Sequence, residues 1–341
     1  MHSIFRNILP AALAAIAAVA AAQDGTTAYQ FLDVPVSTHV YALGGHNLTI
    51  IDDDINLVEQ NPALLGKEFD HQVGLNYMRY IGGTNFMGAR YGQGVGAHGA
   101  AGIGIQYYGY GKMNAADASG VVTGTFNASD LAVTLTYSHD ISDNLRGGIS
   151  LKYIHSSYET YSAGAIGVDL GINYYNPDKD LSLSFVAKNL GGQVKKFNDR
   201  RDKLPWDLQL GFSKGLGSTP FRISVTAFNL TKWKLPYYEP ADKSNATSDL
   251  VKKDKFASNL FRHLVFGLEY LPTERIYIAA GYNYKTRTDM STYKRNFLSG
   301  FSIGGGMRVK ALGFGVAFAQ PHTGATTFMF NLTTSIGELM R

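Results

Sequence analysis

Apolar and polar residues alternate with a period of two, in segments of roughly ten residues, and this pattern restricts the fold more than any other feature of the chain. In "LAVTLTY", Leu131, Val133, Leu135 and Tyr137 share one face, while Ala132, Thr134 and Thr136 share the other. In "GAIGVDLGINYY", Ile166, Val168, Leu170 and Ile172 alternate with Ala165, Gly167, Asp169 and Asn173. "LSLSFVAKNL" and "FRISVTAFNL" repeat the pattern. Successive side chains of a strand point to opposite faces, so each segment is a strand with one apolar side. Fourteen such strands are predicted, near 72–80, 85–91, 101–110, 130–139, 145–157, 163–175, 181–190, 206–214, 221–230, 262–271, 275–284, 298–309, 312–319 and 326–336.

The connections separate a soluble sandwich from a membrane barrel. Ser142-Asp143-Asn144, Asn176-Pro177-Asp178 and Leu271-Pro272-Thr273 are tight-turn sequences. They alternate with longer linkers at 111–129, 191–205, 231–261 and 285–297. Short turns at one end and long loops at the other are how outer-membrane barrels are built, whereas a sandwich has no reason to sort its loops. The expected fold is therefore all-β, a transmembrane antiparallel β-barrel of about 14 strands with an N-terminal lumen plug. Small inner-face residues suit a crowded lumen better than a wide channel. An even strand count leaves both termini periplasmic and the long loops at the cell exterior of a Gram-negative bacterium.

Composition agrees with this fold. The chain has 38 Gly, 21 Tyr and 19 Phe, with 17% charged residues. After residue 22 no apolar stretch approaches the ~18–20 residues of a membrane helix. Arg6, the apolar run from Ile8 to Val19 and Ala20-Ala21-Ala22 read as a signal peptide over residues 1–22. That leaves 23–71 as a plug or hatch segment and 72–341 as the barrel, in contact with outer-membrane lipid. There is no Cys, so no disulfide and no cysteine-linked lipid. A net charge of +4 is too small to point to nucleic acid.

Charges within strands are informative, because one on the lipid face costs ~2–4 kcal/mol at the bilayer midplane. Lys152, Asp169, Arg222, Glu269 and Arg308 all have inward parity and are expected to be lumen charges, holding a plug or one another. Pairing across a turn near residue 160 places Lys152 and Asp169 roughly opposite each other. Tyr80, Tyr110, Tyr137, Tyr174, Tyr175 and Tyr282 fall near strand ends, where headgroup girdles form.

The densest acidic stretch is Asp52 to Leu65, "DDDINLVEQNPALL". Asp52, Asp54 and Asn56 start a calcium-loop pattern, but Leu57 and Ala63 stand where it needs Gly and Glu. A structural reading does better. Asn61 can cap a short helix with Pro62 first in it and Gly66 closing it. Asp52 or Asp53 can start the preceding turn, with Ile55, Leu57 and Val58 buried. Gly94, Gly96 and Gly99 have dinucleotide-loop spacing without a following helix. No H-E-x-x-H or G-x-S-x-G motif occurs. No catalytic residue, cofactor or metal is indicated.

Together, the signal peptide, "ALGGHNLTIIDDDINLVEQNPALLG" (Ala42 to Gly66) and the strand series resemble the PorV/PorQ family of FadL-like barrels in the type IX secretion system. The resemblance covers essentially the whole mature chain. Gly44, Gly45, Asp52, Asp53, Asp54, Asn61 and Pro62 carry its plug-region hallmarks. It departs from many barrels in ending Gly337-Glu338-Leu339-Met340-Arg341, with no terminal aromatic residue. The resemblance implies a non-enzymatic subunit of a surface attachment complex, beside a PorV-like barrel, a PorU-like sortase and a PorZ-like surface protein. The alternative is a FadL-type transporter of a hydrophobic small molecule. A general porin is disfavoured by the plug and the small lumen residues.

The longest connection, 231–261, is the expected partner surface. It holds Trp233, Tyr237 and Tyr238, and the neighbouring linker adds Lys195, Lys196, Arg200 and Arg201. A basic, aromatic mouth suits an acidic protein or lipopolysaccharide phosphates. The alternative is a lid packed over its own barrel. The later part of the connection reads as polar and mobile.

Overall fold

The computed structural model describes residues 28–117, 119–197, 201–241, 250–289, 298–322 and 325–339; the expected signal peptide lies outside them. The strands are β1 (Gln72–Arg79), β2 (Asn85–Val95), β3 (Gly99–Ala116), β4 (Val122–Ser142), β5 (Leu145–Tyr158), β6 (Tyr161–Asn176), β7 (Leu181–Lys195), β8 (Asp207–Gly215) and β9 (Phe221–Ala227). A hairpin of β10 (Tyr237–Pro240) and β11 (Leu250–Lys253) follows. The chain then forms β12 (Leu264–Thr273), β13 (Ile276–Asn283), β14 (Phe301–Val309), β15 (Leu312–His322) and β16 (Ala325–Ser335). All but β10 and β11 close into one barrel of fourteen antiparallel strands, sealed where β1 meets β16. Closure leaves no unpaired edge, which a sheet in lipid requires.

Every strand that the alternation predicts is present. Their outward residues form a continuous apolar belt, including Ile103, Leu135, Leu151, Ile166, Phe185, Leu268, Ile278 and Phe330, all exposed. Inward residues are small or polar, as at Thr134, Ser150, Ser184 and Thr226. The end of the barrel at Gln72 and Ser335 carries short turns only; the opposite end carries the connections 196–206, 228–263 and 284–300. These are called the terminal end and the loop end.

Four local expectations differ from the structure. The 111–129 linker is mostly strand, because Lys112 to Ala116 go on pairing with Asn127 to Val122. Its tight tip is held by Asp117 Oδ1, which accepts from the Ser119 and Val121 amides at 2.9 and 3.0 Å. The turn expected at Pro272 falls two residues later, since Thr273 still pairs with Ile276 after a bulge. Tyr80 and Tyr110 turn inward rather than joining a girdle. Tyr80 stacks on Phe86 at 5.3 Å and Tyr110 donates to Asp130 at 2.5 Å. The later part of 231–261 is ordered as β11 and the helix Phe256–Arg262, although 242–249 lies outside the described residues.

Residues 28–71 run through the lumen as a chain of short helices. The helix Thr38–Ala42 packs on β13 to β16, while the 3-10 turn Pro62–Leu64 packs on β4, β5 and β6 across the barrel. The turn Ile55–Glu59 touches β1 and β2. Val40, Leu48, Ile55 and Leu65 are at most 1% exposed, so the segment's apolar residues form the core of the molecule.

Candidate functional site

Ser37 starts the helix Thr38–Ala42, its Oγ accepting from the His39 amide at 3.2 Å. Gly44 and Gly45 stop it with φ of 95° and 89°, where a side chain would be strained. The Gly45 amide returns to the Val40 carbonyl at 3.0 Å. The wall is built to receive this end. Asn283 Nδ2 donates to the Gly44 carbonyl at 3.0 Å, and Ser302 Oγ donates to that of Ala42 at 2.8 Å. Gly281 lies so close that a Cβ there would overlap the Leu43 carbonyl carbon and the Gly44 nitrogen.

The three aspartates of the acidic stretch have three separate partners. Asp52 Oδ2 is 2.8 Å from His39 Nδ1, and Asp53 pairs with Arg308. Asp54 Oδ2 accepts from Ser37 Oγ at 2.7 Å and from Asn331 Nδ2 at 3.1 Å. Asp54 Oδ1 accepts from the Asn56 amide at 3.0 Å, so Asp54, not Asp52 or Asp53, caps the turn Ile55–Glu59. Asn61 Oδ1 caps Pro62–Leu64 through the Ala63 amide at 2.9 Å. Asn61 Nδ2 donates to the Leu48 carbonyl and to Ser184 Oγ, both at 3.1 Å. Gly66 is extended and precedes the next turn, so the C-cap is Leu65.

Two ion-pair clusters join the segment to the wall. In the first, His39 Nε2 lies 2.7 Å from Glu269 Oε1, and the Tyr277 ring stacks on the imidazole at 3.7 Å. Arg222 faces Glu269 in the β9–β12 register, at 3.8 Å, and also pairs with Asp180 at 3.0 Å. Burial alone lowers the His39 pKa, but Glu269 and Asp52 outweigh it and raise the value to about 9. His39 is thus a cation at neutral pH, held between two carboxylates.

In the second cluster, Lys152 Nζ is 3.0 Å from Glu59 Oε1 and 2.7 Å from Asp169 Oδ2, and Arg90 also pairs with Glu59. Lys152 and Asp169 meet on a diagonal, since Lys152 is level with Gly167 and Asp169 with Ser150. Burial raises the Glu59 pKa, but Lys152 and Arg90 overcome it and hold the value down to about 2. Arg308 stands apart at the terminal end, half-buried between Asp53 and Glu338. His39, Glu59 and Arg90 were not singled out from sequence. Arg90 shares inward parity with Phe86 and Gly92 and could have been found by the same count; His39 carries no such signal.

Of the loop residues, Trp233 and Tyr238 are exposed. Tyr237 is buried instead, under the Arg262 guanidinium at 5.0 Å and against Tyr284 Oη at 3.3 Å, which removes it from the partner surface. Lys195 donates to Ser162 at 2.5 Å, and Arg201 is exposed. Lys196 lies just past β7, and Arg200 is outside the described residues.

The lumen is interrupted rather than filled. A cavity of about 280 Å³ opens toward the loop end, lined by Tyr41, Gly44, His46, Tyr80, Asp207 and Phe228 among others. A second, of about 310 Å³, opens toward the terminal end between Thr38, His39, Asp52, Asp54, Tyr277 and Arg308. Thr38 and His39 face one cavity and Tyr41 and Gly44 the other, so the helix Thr38–Ala42 stands between them. His46 stacks on Phe228 at 4.2 Å, and burial, with the charges of Lys188 and Lys285, pushes its pKa down to about 3.

The same architecture recurs in solved structures. The Ralstonia pickettii toluene transporter TbuX superposes with a TM-score of 0.51 at 14% identity, over 89% of this chain and 97% of its own. The fold is FadL-like. The CymD monoaromatic hydrocarbon channel gives 0.51 at 12% identity over 89% and 98% of the two chains. A Pseudomonas aeruginosa FadL homologue gives 0.50 at 12% identity over 88% and 98%. No family model and no curated protein matches the sequence. A FadL-like barrel with this apolar belt is an outer-membrane architecture. TbuX is a transporter and CymD a channel, and no group of three or more His, Cys, Asp or Glu residues suited to a metal occurs among the described residues.

Proposed function

We propose that this barrel admits a small hydrophobic molecule across the outer membrane, with residues 28–71 as the plug that gates it. The observation that carries this reading is the pair of cavities, one toward each end, separated by the single helix Thr38–Ala42. A purely structural filling would have no reason to leave a cavity on each side of one short helix. The barrier is also fixed to the wall by hydrogen bonds and ion pairs, which can be exchanged, rather than by continuous backbone pairing. Two barrels with the same fold are a toluene transporter and a monoaromatic hydrocarbon channel, which favours an apolar solute. In this reading the termini are periplasmic and the loop-end cavity receives solute from outside.

The test is uptake of a small aromatic hydrocarbon by vesicles containing the full mature chain. Saturable entry, faster than in protein-free vesicles, is the expected result. Absence of entry, with recovery of surface proteins on the tagged barrel from native membrane, would overturn it. That outcome would favour the attachment-complex role, with PorV-, PorU- and PorZ-like partners, which the resemblance over Ala42 to Gly66 implies.

A further inference from the structure

The helix Phe256–Arg262 has one side turned into the protein. Asn259 Oδ1 accepts from the Leu235 amide at 3.1 Å, and Arg262 reaches Asp289 at 2.5 Å and Tyr237. Its other side is apolar and bare: Phe256 is 70% exposed, Phe261 48% and Leu260 37%. A surface helix in water does not ordinarily present two phenylalanines and a leucine to solvent within one turn and a half.

Phe261 shows what lies against this side. Its ring is 6.4 Å from that of Phe266, an outward residue of β12. Phe266 is level with Tyr282, and Tyr282 with Phe301, in the registers of β12, β13 and β14. These rings are the loop-end row of the lipid-facing belt, so the bare side of the helix continues that belt.

Positive charge lies at the border. Lys252, Lys253 and Lys255 precede the helix directly, and Lys232 and Lys234 flank the exposed ring of Trp233, which packs on Phe256 at 5.5 Å. The one acid among residues 251–262, Asp254, accepts from Asn259 Nδ2 at 2.8 Å. Tyr238, 57% exposed, stands opposite Lys252 in the β10–β11 hairpin. Apolar rings at the edge of a lipid belt, with lysines just beyond it, match the acyl-to-phosphate boundary of a leaflet.

We propose that residues 251–262, with Trp233 and Tyr238 beside them, bind phosphate-bearing lipid in the leaflet at the loop end. Charge complementarity and continuity with the belt select lipid over a protein partner, which would need a patch set apart from the bilayer. In the orientation proposed above this leaflet is the outer one, where glycolipid phosphates supply the charge.

The experiment places the full mature chain in phosphatidylcholine nanodiscs doped with bis-phosphorylated lipid A and counts lipid A retained per barrel by mass spectrometry. Relative to the unaltered chain, K252Q/K253Q/K255Q should retain about tenfold less or lower still, because each lysine near an anionic surface contributes attraction. F256S/F261S should also lose lipid A, and dephosphorylated lipid A should be retained poorly by all three. Both variants lie outside the barrel strands, and heat-modifiable gel mobility checks that the barrel stays closed. Equal lipid A retention by all three proteins would overturn the proposal. So would loss of a surface protein from the lysine variant with lipid retention unchanged.

Discussion

His39 Nε2 on the lumenal helix and Glu269 Oε1 on β12 lie 2.7 Å apart, with side chains 2% and 0% exposed. This contact makes the attachment of segment 28–71 to the wall depend on pH. The folded pKa of His39 is about 9, above its ordinary 6.5, so its protonated form is the one the fold favours. The stabilisation is therefore complete below about pH 6.5 and is lost as pH rises through about 9. It is worth up to about 3 kcal/mol. Hydrogen exchange of amides 38–45 should accelerate between pH 7 and 10 beyond the intrinsic rate. In H39Q the extra acceleration should vanish. An unaltered pH profile in H39Q would show that the contact is not what holds the helix.

Asn61 joins three parts of the chain at once, being cap, donor to Leu48 and donor to Ser184. Asn61→Ala removes the cap and one of the two donors to the buried Leu48 carbonyl, which keeps Ser184 Oγ at 2.7 Å, a cost of about 1–3 kcal/mol. Asn61→Asp keeps the cap but not the donors, and should fall between alanine and the unaltered chain in denaturant unfolding. Equal midpoints for all three would contradict this account.

The strands were legible in the sequence because a barrel wall has one lipid face and one lumen face, and period two follows from that alone. The shared parity of Arg222 and Glu269 was legible for the same reason, and the two are register partners. What was not legible depends on distance in space rather than along the chain. Nothing near His39 in sequence reveals Glu269, 230 residues away. Tyr80 and Tyr110 have the composition of a girdle, yet their hydroxyl-bearing rings pack inward, where Phe86 and Asp130 wait. The helix Phe256–Arg262 escaped because its apolar side faces outward, so the surrounding polar residues read as an ordinary loop.

Lys152 is the common partner of Glu59 on the lumenal segment and Asp169 on the wall. Lys152→Met leaves two buried carboxylates with reduced compensation and should cost about 3–5 kcal/mol. The same substitution in an E59Q background should cost clearly less, because one of the stranded charges is already gone. Additive losses across this double-mutant cycle, in denaturant unfolding, would refute the shared role. Glu59 also sets an acid limit. Its folded pKa of about 2 lies below its ordinary 4.5, so its contribution is present above about pH 4.5 and disappears as pH falls through about 2.

At Gly281 the backbone of segment 28–71 lies directly against the wall, and a methyl group there would overlap Leu43 and Gly44. Neither neighbour can yield by rotating a side chain, because the overlapping atoms are backbone. Gly281→Ala should therefore push the end of the helix Thr38–Ala42 away from β13 and break the Asn283 bond to Gly44. The helix is the barrier between the two cavities, so its displacement should join them. Single-channel recordings should show an ionic conductance that the unaltered barrel lacks, while the barrel still migrates as a closed form. Gly124→Ala, near the start of β4 with nothing within 4 Å of the added carbon, supplies the comparison and should leave conductance unchanged. If Gly281→Ala also stays closed, the lumenal segment tolerates displacement at Gly44, and the barrier must lie elsewhere along 28–71.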